Sequence, residues 1–298
     1  MENHVLSLSD GRTLGFGDYG NKDGLPVLLF HGTPSSRVHP FIQLLEEMAK
    51  EMPFPPIRII AIERPGYGLS TPKQGRTIEN VVTDTKLLLR YLKIDQFSTI
   101  GISGGAPYAL ACAADMPDRV QKVAVISGMG PLHVRELLLS HSKEDQIGFL
   151  SAFQSPDGLR KFVQYAQKNP EAFVKSQYDQ LHASEKKNMT KEILNIYTKT
   201  ISEATRTPWG MIDDYKNFLT PWPFDPATLK TFVKLWHSDE DDSVPVNHAR
   251  HMHRVIPNSE YTELKGLSHL ASIFAPLPEV LEFLTMRQVN ESSNLENG

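Results

Sequence analysis

Five short, largely apolar runs recur along this chain: Val27 to Phe30, Ile57 to Ile62, Phe97 to Ile102, Val123 to Ile126 and Phe232 to Trp236. A strand that buries one face alternates apolar and polar residues, whereas a nearly continuous apolar run suits a strand covered on both faces. Helical patterns separate the runs. Thr77 stands where an N-cap is expected, and Ile78, Val81, Val82, Leu88, Leu89 and Leu92 then follow at helical spacing. Behind Ile102 comes a stretch rich in small residues, with Pro107 in its first turn, where backbone N–H groups have no helical partner anyway. The alternation predicts an α/β fold, a mainly parallel open sheet with helices on both faces. Val5 to Ser9, Asp10-Gly11 and Thr13 to Tyr19 predict an antiparallel hairpin added at one edge.

The alternation stops between about Gly130 and Phe224. Helical patterns continue there (Val134 to Ser140, Leu159 to Gln167, Ala172 to Tyr178, Ser184 to Tyr197), but no strand is expected. The simplest account is a helical cap inserted between core strands. The expected division is a core of residues 1–129 and 226–287, a helical cap of 130–225, and a polar, disordered tail of 288–298. The insertion carries Phe149, Phe153, Phe162, Tyr165, Phe173, Tyr178, Tyr197, Trp209 and Tyr215. Any one of these is expected to pack the insertion's own core, and as a group they suggest an apolar roof over a site.

Charge and composition exclude several functions. The formal net charge is −4 and there is no Lys/Arg-rich tract, so no nucleic-acid partner is expected. No apolar run is long enough to span a bilayer, so no membrane span is expected. Met1-Glu2-Asn3-His4 lacks a basic and then apolar leader, and Cys112 is the single cysteine, so a cytoplasmic, reducing setting is expected.

The chemistry centres on Gly101-Ile102-Ser103-Gly104-Gly105. A G-x-S-x-G between a strand and a helix puts its serine at the tip of a sharp turn with the hydroxyl exposed. Ser103 is then a candidate nucleophile, and a serine hydroxyl needs a base, a group that orients the base, and donors for the developing oxyanion. His269, in Gly266-Leu267-Ser268-His269 after the expected strand Tyr261 to Leu264, is the candidate base. The acid should lie between Ser103 and His269 in the chain, and Asp239, Glu240, Asp241 and Asp242 follow the Phe232 to Trp236 strand. Ser127 to Pro131, after the preceding strand, contains no acid. Gly104 supplies one backbone N–H at a helix N-terminus, where the dipole also favours negative charge. In His31-Gly32-Thr33-Pro34 the proline has no N–H, which leaves Thr33 as the second oxyanion donor.

Other patterns are decoys. Gly15 to Gly20 matches G-x-G-x-x-G, yet it overlaps a hairpin strand and opens no helix, so no dinucleotide site is expected. His248, His251 and His253 resemble metal ligands but fit a solvated helix face better, and no metal site is expected. Cys112 fits a small buried hydrophobe, and His31 a structural hydrogen-bonding residue.

Five segments in order carry a resemblance: His31 to Pro34, Glu63-Arg64-Pro65-Gly66-Tyr67-Gly68-Leu69-Ser70, Gly101 to Gly105, Ser238 to Pro245 and Gly266 to His269. Over nearly its whole length the chain resembles the α/β-hydrolase superfamily. In that superfamily the acid usually sits three residues after a glycine and three before a Val-Pro pair. Val244-Pro245 points to Asp241 on that pattern, although Ser238 stands at the glycine position and Glu63 where Asp is frequent. Serine rather than aspartate at the elbow separates it from haloalkane dehalogenases and most epoxide hydrolases. The resemblance supports a catalytic Ser103, Asp241 and His269 acting without a cofactor but names no substrate; serine at the elbow favours acyl transfer to water, and a small to medium, fairly apolar ester or lactone is the expected substrate. Rival readings are a peptidase of N-terminal residues, a perhydrolase or lyase on the same residues, and a ligand receptor without turnover. The peptidase would need an acidic pocket for the α-amino group, with Glu171, Asp179, Glu185, Glu192, Glu203, Asp213 and Asp214 as candidates.

Overall fold

The computed structural model describes residues 3–286; the expected tail of 288–298 lies outside them. Eight strands form one sheet, in the order β1 (Asn3–Ser7), β2 (Thr13–Gly20), β4 (Ile57–Ile62), β3 (Leu25–Phe30), β5 (Phe97–Ile102), β6 (Val120–Ile126), β7 (Phe232–Ser238) and β8 (Ser259–Leu264). The β1–β2 hairpin stands at one edge, and β2 joins β4 antiparallel. Every other pairing is parallel.

Helices α1 (Pro40–Glu51), α2 (Ile78–Leu92) and α3 (Ala106–Asp115) connect the first parallel strands. Seven helices lie between β6 and β7: α4 (Arg135–Ser140), α5 (Lys143–Gln154), α6 (Asp157–Lys168), α7 (Pro170–Gln180), α8 (Ala183–Lys186), α9 (Lys191–Ala204) and α10 (Trp209–Leu219). Helices α11 (Asn247–Val255), α12 (His269–Phe274) and α13 (Leu277–Thr285) follow among the described residues.

The two faces of the sheet explain the apolar runs. On β3, Leu28 and Phe30 pack with Val81 and Leu88 of α2 and Ala109 of α3. Val27 and Leu29 point the other way, into a cluster with Phe41 and Leu45 of α1 and Leu281 of α13. Because both faces are covered, neither set of alternate positions can be polar. Thr77 caps α2 with a reciprocal bond to Asn80, as its position predicts.

Small residues bring α3 onto the sheet beside the site. A Cβ on Gly101 would lie 2.7 Å from Ala106 Cα, and one on Gly105 would lie 2.0 Å from the Phe30 carbonyl oxygen. The start of α3 is thereby pressed against the ends of β3 and β5. At the carboxyl ends of β3, β5, β7 and β8 lie the Thr33 loop, Ser103, Asp241 and the His269 loop, the position where open parallel sheets present their ligand sites.

The helical segment between β6 and β7 departs from the sequence pattern in three places. The single helix expected from Ser184 to Tyr197 is two, because the Thr190 side chain accepts from Ile193 N–H and starts α9 anew. Helix α5 is amphipathic only weakly: Ile147, Leu150 and Phe153 are exposed while Phe149 and Ala152 are buried. Helix α10 buries Asp213, Asp214 and Asn217 along with its apolar residues, which hides its periodicity.

Candidate active site

Ser103 sits directly after β5 with φ +50°, a left-handed conformation that non-glycine residues rarely adopt. The strain is compensated by the packed strand and helix on either side, and it lifts the side chain out of the turn. Gly32 lies alongside, and a Cβ there would be 3.4 Å from Ser103 Cβ.

Ser103 Oγ is 3.1 Å from His269 Nε2. On the other side of the ring, His269 Nδ1 lies 2.9 and 2.7 Å from the two carboxylate oxygens of Asp241. A carboxylate facing Nδ1 places the proton there, which leaves Nε2 as the acceptor for the serine hydroxyl. Asp241 is itself held by Ser243 N–H at 3.0 Å and Val244 N–H at 2.7 Å, both donating to Oδ1. A second imidazole, His237, approaches Oδ2 through Nε2 at 3.3 Å while donating to the Val244 carbonyl at 2.7 Å.

These contacts set the charges. Burial by itself raises the Asp241 carboxyl, but His269 and His237 outweigh it and hold the group well below the usual carboxylate range. Burial likewise depresses His269, and the charge and hydrogen bonds of Asp241 reverse this, so the imidazole ends above its ordinary value. Asp239 and Asp242 serve elsewhere: Asp239 accepts from Lys265 and from Gly266 N–H, and Asp242 from the backbone N–H of His269.

Thr33 and Gly104 are brought together. A Cβ on Gly104 would meet Thr33 Oγ1 at 2.5 Å and Phe218 Cζ at 2.8 Å, so only glycine lets the Thr33 loop approach. Gly104 is the second residue of the short helical turn Ser103–Gly105, where an N–H has no intrahelical partner. Thr33 N–H donates to no protein group among the described residues.

Above Ser103 opens a cavity of about 370 Å³. Its walls come from the Thr33 loop, from Ile102, Met129, Val244, Leu270 and Ile273, and from the α5–α10 side chains Phe149, Phe162, Phe173, Leu181, Tyr197, Met211, Tyr215 and Phe218. Five of the nine aromatics read as a roof therefore reach it; Phe153 and Tyr165 are exposed on the outside instead. No Lys or Arg lines the cavity. Away from His269 and Ser103, its polar groups include Gln177, Gln180, His39, Tyr197, and the solvent-exposed Asp145 and Asp242. Burial pushes His39 down to about 4 and Tyr197 up to about 12, so both are uncharged near neutrality. None of the seven acidic candidates for an α-amino pocket lines it.

The roles of several residues escaped the sequence reading. His237, next to last in β7, reads as a strand residue and yet contacts Asp241. Glu185 of α8 accepts Ser268 N–H at 2.8 Å, next to His269 in the chain, and His182 N–H at 2.8 Å. The solvated histidine face expected on α11 holds for the exposed His253 and in part for His251 but is corrected at His248, which is fully buried, its Nδ1 accepting Gly130 N–H at 2.9 Å and its Nε2 meeting His141 Nε2 at 3.0 Å. The spacing that suggested a solvated face cannot reveal that α4 and the loop after β6 close over one side of α11. Among the described residues no cluster of three or more His, Cys, Asp or Glu fit for a metal ion occurs, and no helix is long and apolar enough to cross a membrane.

The sequence profile of the alpha/beta hydrolase fold matches residues 26–276. The chain belongs to the alpha/beta hydrolase fold family. Among curated relatives, a non-heme chloroperoxidase of Streptomyces lividans is 32% identical over 133 residues, which is 44% of this chain and 46% of that protein. A proline iminopeptidase of Xanthomonas citri is 32% identical over 135 residues, 44% of this chain and 41% of that protein. The chain thus spans less than half the length of these curated relatives. A thermophilic esterase from Thermogutta terrifontis superposes with a TM-score of 0.67 at 20% identity, covering 96% of this chain and 100% of the other. That similarity is one of fold.

Proposed function

We propose that this alpha/beta hydrolase cleaves neutral, fairly apolar esters or lactones through an acyl-enzyme on Ser103. The observation that carries the reading is the hydrogen-bonded series from Ser103 Oγ through His269 to Asp241 at the foot of the cavity. In the proposed cycle His269 Nε2 takes the serine proton as Oγ attacks the carbonyl carbon, and the carbonyl electrons become an oxyanion received by the N–H groups of Thr33 and Gly104. Collapse expels the alcohol, which takes its proton from His269. Water deprotonated by His269 then releases the acid and restores Ser103. Asp241 holds the ring tautomer and stabilises the imidazolium. None of these steps calls for a cofactor.

The cavity's chemistry supports the substrate class. About 370 Å³ accommodates a small to medium acyl or alkoxy group, and aromatic and aliphatic walls favour apolar ones. With no Lys or Arg in the lining, a carboxylate or phosphate on the substrate would lose its hydration without gaining a permanent counter-charge. The helices α4–α10, within the expected 130–225 cap, supply most of the roof and are proposed to act as that cap. None of the acids considered for an α-amino pocket lines the cavity, which weighs against the peptidase reading.

Labelling with a fluorophosphonate probe, followed by peptide mapping, tests the nucleophile. Turnover of matched p-nitrophenyl butyrate and the anionic p-nitrophenyl hemiglutarate tests the substrate class. Ser103 is expected to label, His269→Ala to abolish labelling, and the neutral ester to be preferred at least about tenfold in kcat/KM, a difference of about 1.4 kcal/mol. Labelling without turnover of any ester would favour a receptor instead.

A further inference from the structure

A buried cluster of polar and charged side chains lies behind the Thr33 loop, outside the lining of the cavity. At its centre is Asp214 of α10, which is fully buried. Its carboxylate accepts from Thr33 Oγ1 at 2.5 Å, from Arg64 Nη2 at 2.6 Å and Nε at 3.2 Å, from the hydroxyls of Tyr67 and Tyr108 at 2.7 Å each, and from Arg76. Burial would raise this carboxyl, but the two guanidiniums overwhelm that effect and keep it ionised far below its usual range.

We propose that Asp214 is a positioning residue for the oxyanion site: it fixes the Thr33 side chain and, through Arg64, the peptide plane that presents the Thr33 N–H. The inference rests on reading Ser103 as the nucleophile. Three geometric features carry it. First, Arg64 also donates to the carbonyls of His31 at 2.5 Å and Gly32 at 3.0 Å. In a trans peptide the N–H points opposite to the C=O, so binding the Gly32 carbonyl directs the Thr33 N–H away from Arg64 and leaves it open to a ligand.

Second, the Thr33 hydroxyl has one proton. It goes to Asp214, while Arg64 Nη2 donates to the same oxygen at 3.1 Å, so the side chain is anchored and is not itself an oxyanion donor. The anchored side chain packs on Gly104, where an added Cβ would come within 2.5 Å of Thr33 Oγ1, and this sets the spacing between the two backbone donors. Third, Asp214 shares α10 with Met211, Tyr215 and Phe218, which line the cavity. One helix therefore carries both a wall of the acyl cavity and the anchor of the oxyanion loop.

The test compares wild type, Thr33→Val, Thr33→Ser and Asp214→Asn. The readouts are kcat and KM for p-nitrophenyl butyrate, affinity for an aliphatic trifluoromethyl ketone that forms a hemiketal oxyanion on serine, and the thermal midpoint. Complete loss of one oxyanion donor costs about 10²–10³ in rate, so a displaced donor is expected to cost about 10–10². Thr33→Val should lower kcat and inhibitor affinity together by that factor, with KM changed less than about threefold, because the lost interaction exists only with the oxyanion. Thr33→Ser keeps the hydroxyl and should recover most of what Thr33→Val loses in kcat and inhibitor affinity. Asp214→Asn should fall at least as far as Thr33→Val; if that chain does not fold, the Thr33 pair decides. Wild-type kcat and inhibitor affinity in Thr33→Val, whatever its thermal midpoint, would overturn the inference while leaving Ser103 as nucleophile. A folded wild type that the fluorophosphonate does not label would overturn both.

Discussion

Asp241→Asn is the substitution in which the geometry makes its sharpest demand. Oδ1 of Asp241 accepts Ser243 and Val244 N–H, so the asparagine carbonyl oxygen must take that place. The new NH₂ then occupies the Oδ2 position, which His269 Nδ1 approaches at 2.7 Å and His237 Nε2 at 3.3 Å. A donor now faces two ring nitrogens that both donate in the native protein. His269 can relieve the clash by moving its proton to Nε2, where it points at Ser103 Oγ and can no longer accept the serine proton. His237 has less room to adjust, because its Nε2–H also serves the Val244 carbonyl. The wrong tautomer in an otherwise intact serine triad costs about 10⁴ in kcat, equivalent to about 5.5 kcal/mol. Burst and steady-state kinetics with p-nitrophenyl butyrate should show this loss in acylation, with a circular dichroism spectrum like that of wild type. A loss below about tenfold would refute the reasoning, since neither Asp239 nor Asp242 places its carboxylate on the imidazole.

His269 lies above the ordinary imidazole value, and the proposed acyl transfer needs it neutral; kcat/KM should therefore fall as pH drops through a midpoint above about 6.5. The linked stability runs the opposite way, being present below the unfolded value and lost as pH rises through the folded one; a pH–rate profile beside thermal midpoints across pH 5–9 checks both. Gly104→Ala would put a methyl 2.5 Å from Thr33 Oγ1 and 2.8 Å from Phe218 Cζ, so the loop must retreat. Fluorophosphonate labelling should slow by about 10² or more and stability should fall by about 1–3 kcal/mol, and labelling at the wild-type rate would count against the assigned oxyanion site. Glu185→Gln leaves one acceptor for the two N–H groups of Ser268 and His182, and urea unfolding should register a loss of about 1–3 kcal/mol. An unchanged midpoint would mean that Glu185 does not hold the His269 loop.

Much of the framework is legible in local sequence. The apolar runs at β3, β4, β5, β6 and β7 announce strands covered on both faces, Thr77 announces a helix start, and Gly101 to Gly105 announces a strand, a turn and a helix. These features concern residues a few positions apart, where backbone period, capping and the need for small residues leave a direct imprint. The helices between β6 and β7 were less readable. Asp213 and Asp214 look like ordinary surface acids of a helix, and α10 goes unrecognised because the polar residues it buries interrupt its apolar stripe.

The order of Ser103, four candidate acids and His269 follows from the sequence, and the resemblance singles out Asp241 among the acids; the contact of its carboxylate with the imidazole is a matter of space. Ser103 and His269 are 166 residues apart, and Thr33 and Asp214 are 181 apart. Nothing local records such pairings, because each depends on where separate strands end and how closely their loops pack. Only that packing turns the Asp241 carboxylate toward His269, buries His248 against His141, and brings Asp214 from a helix beside the cavity into contact with two arginines and the Thr33 hydroxyl. A charged residue is buried when the fold delivers its counter-charges, and that delivery is a property of the tertiary structure.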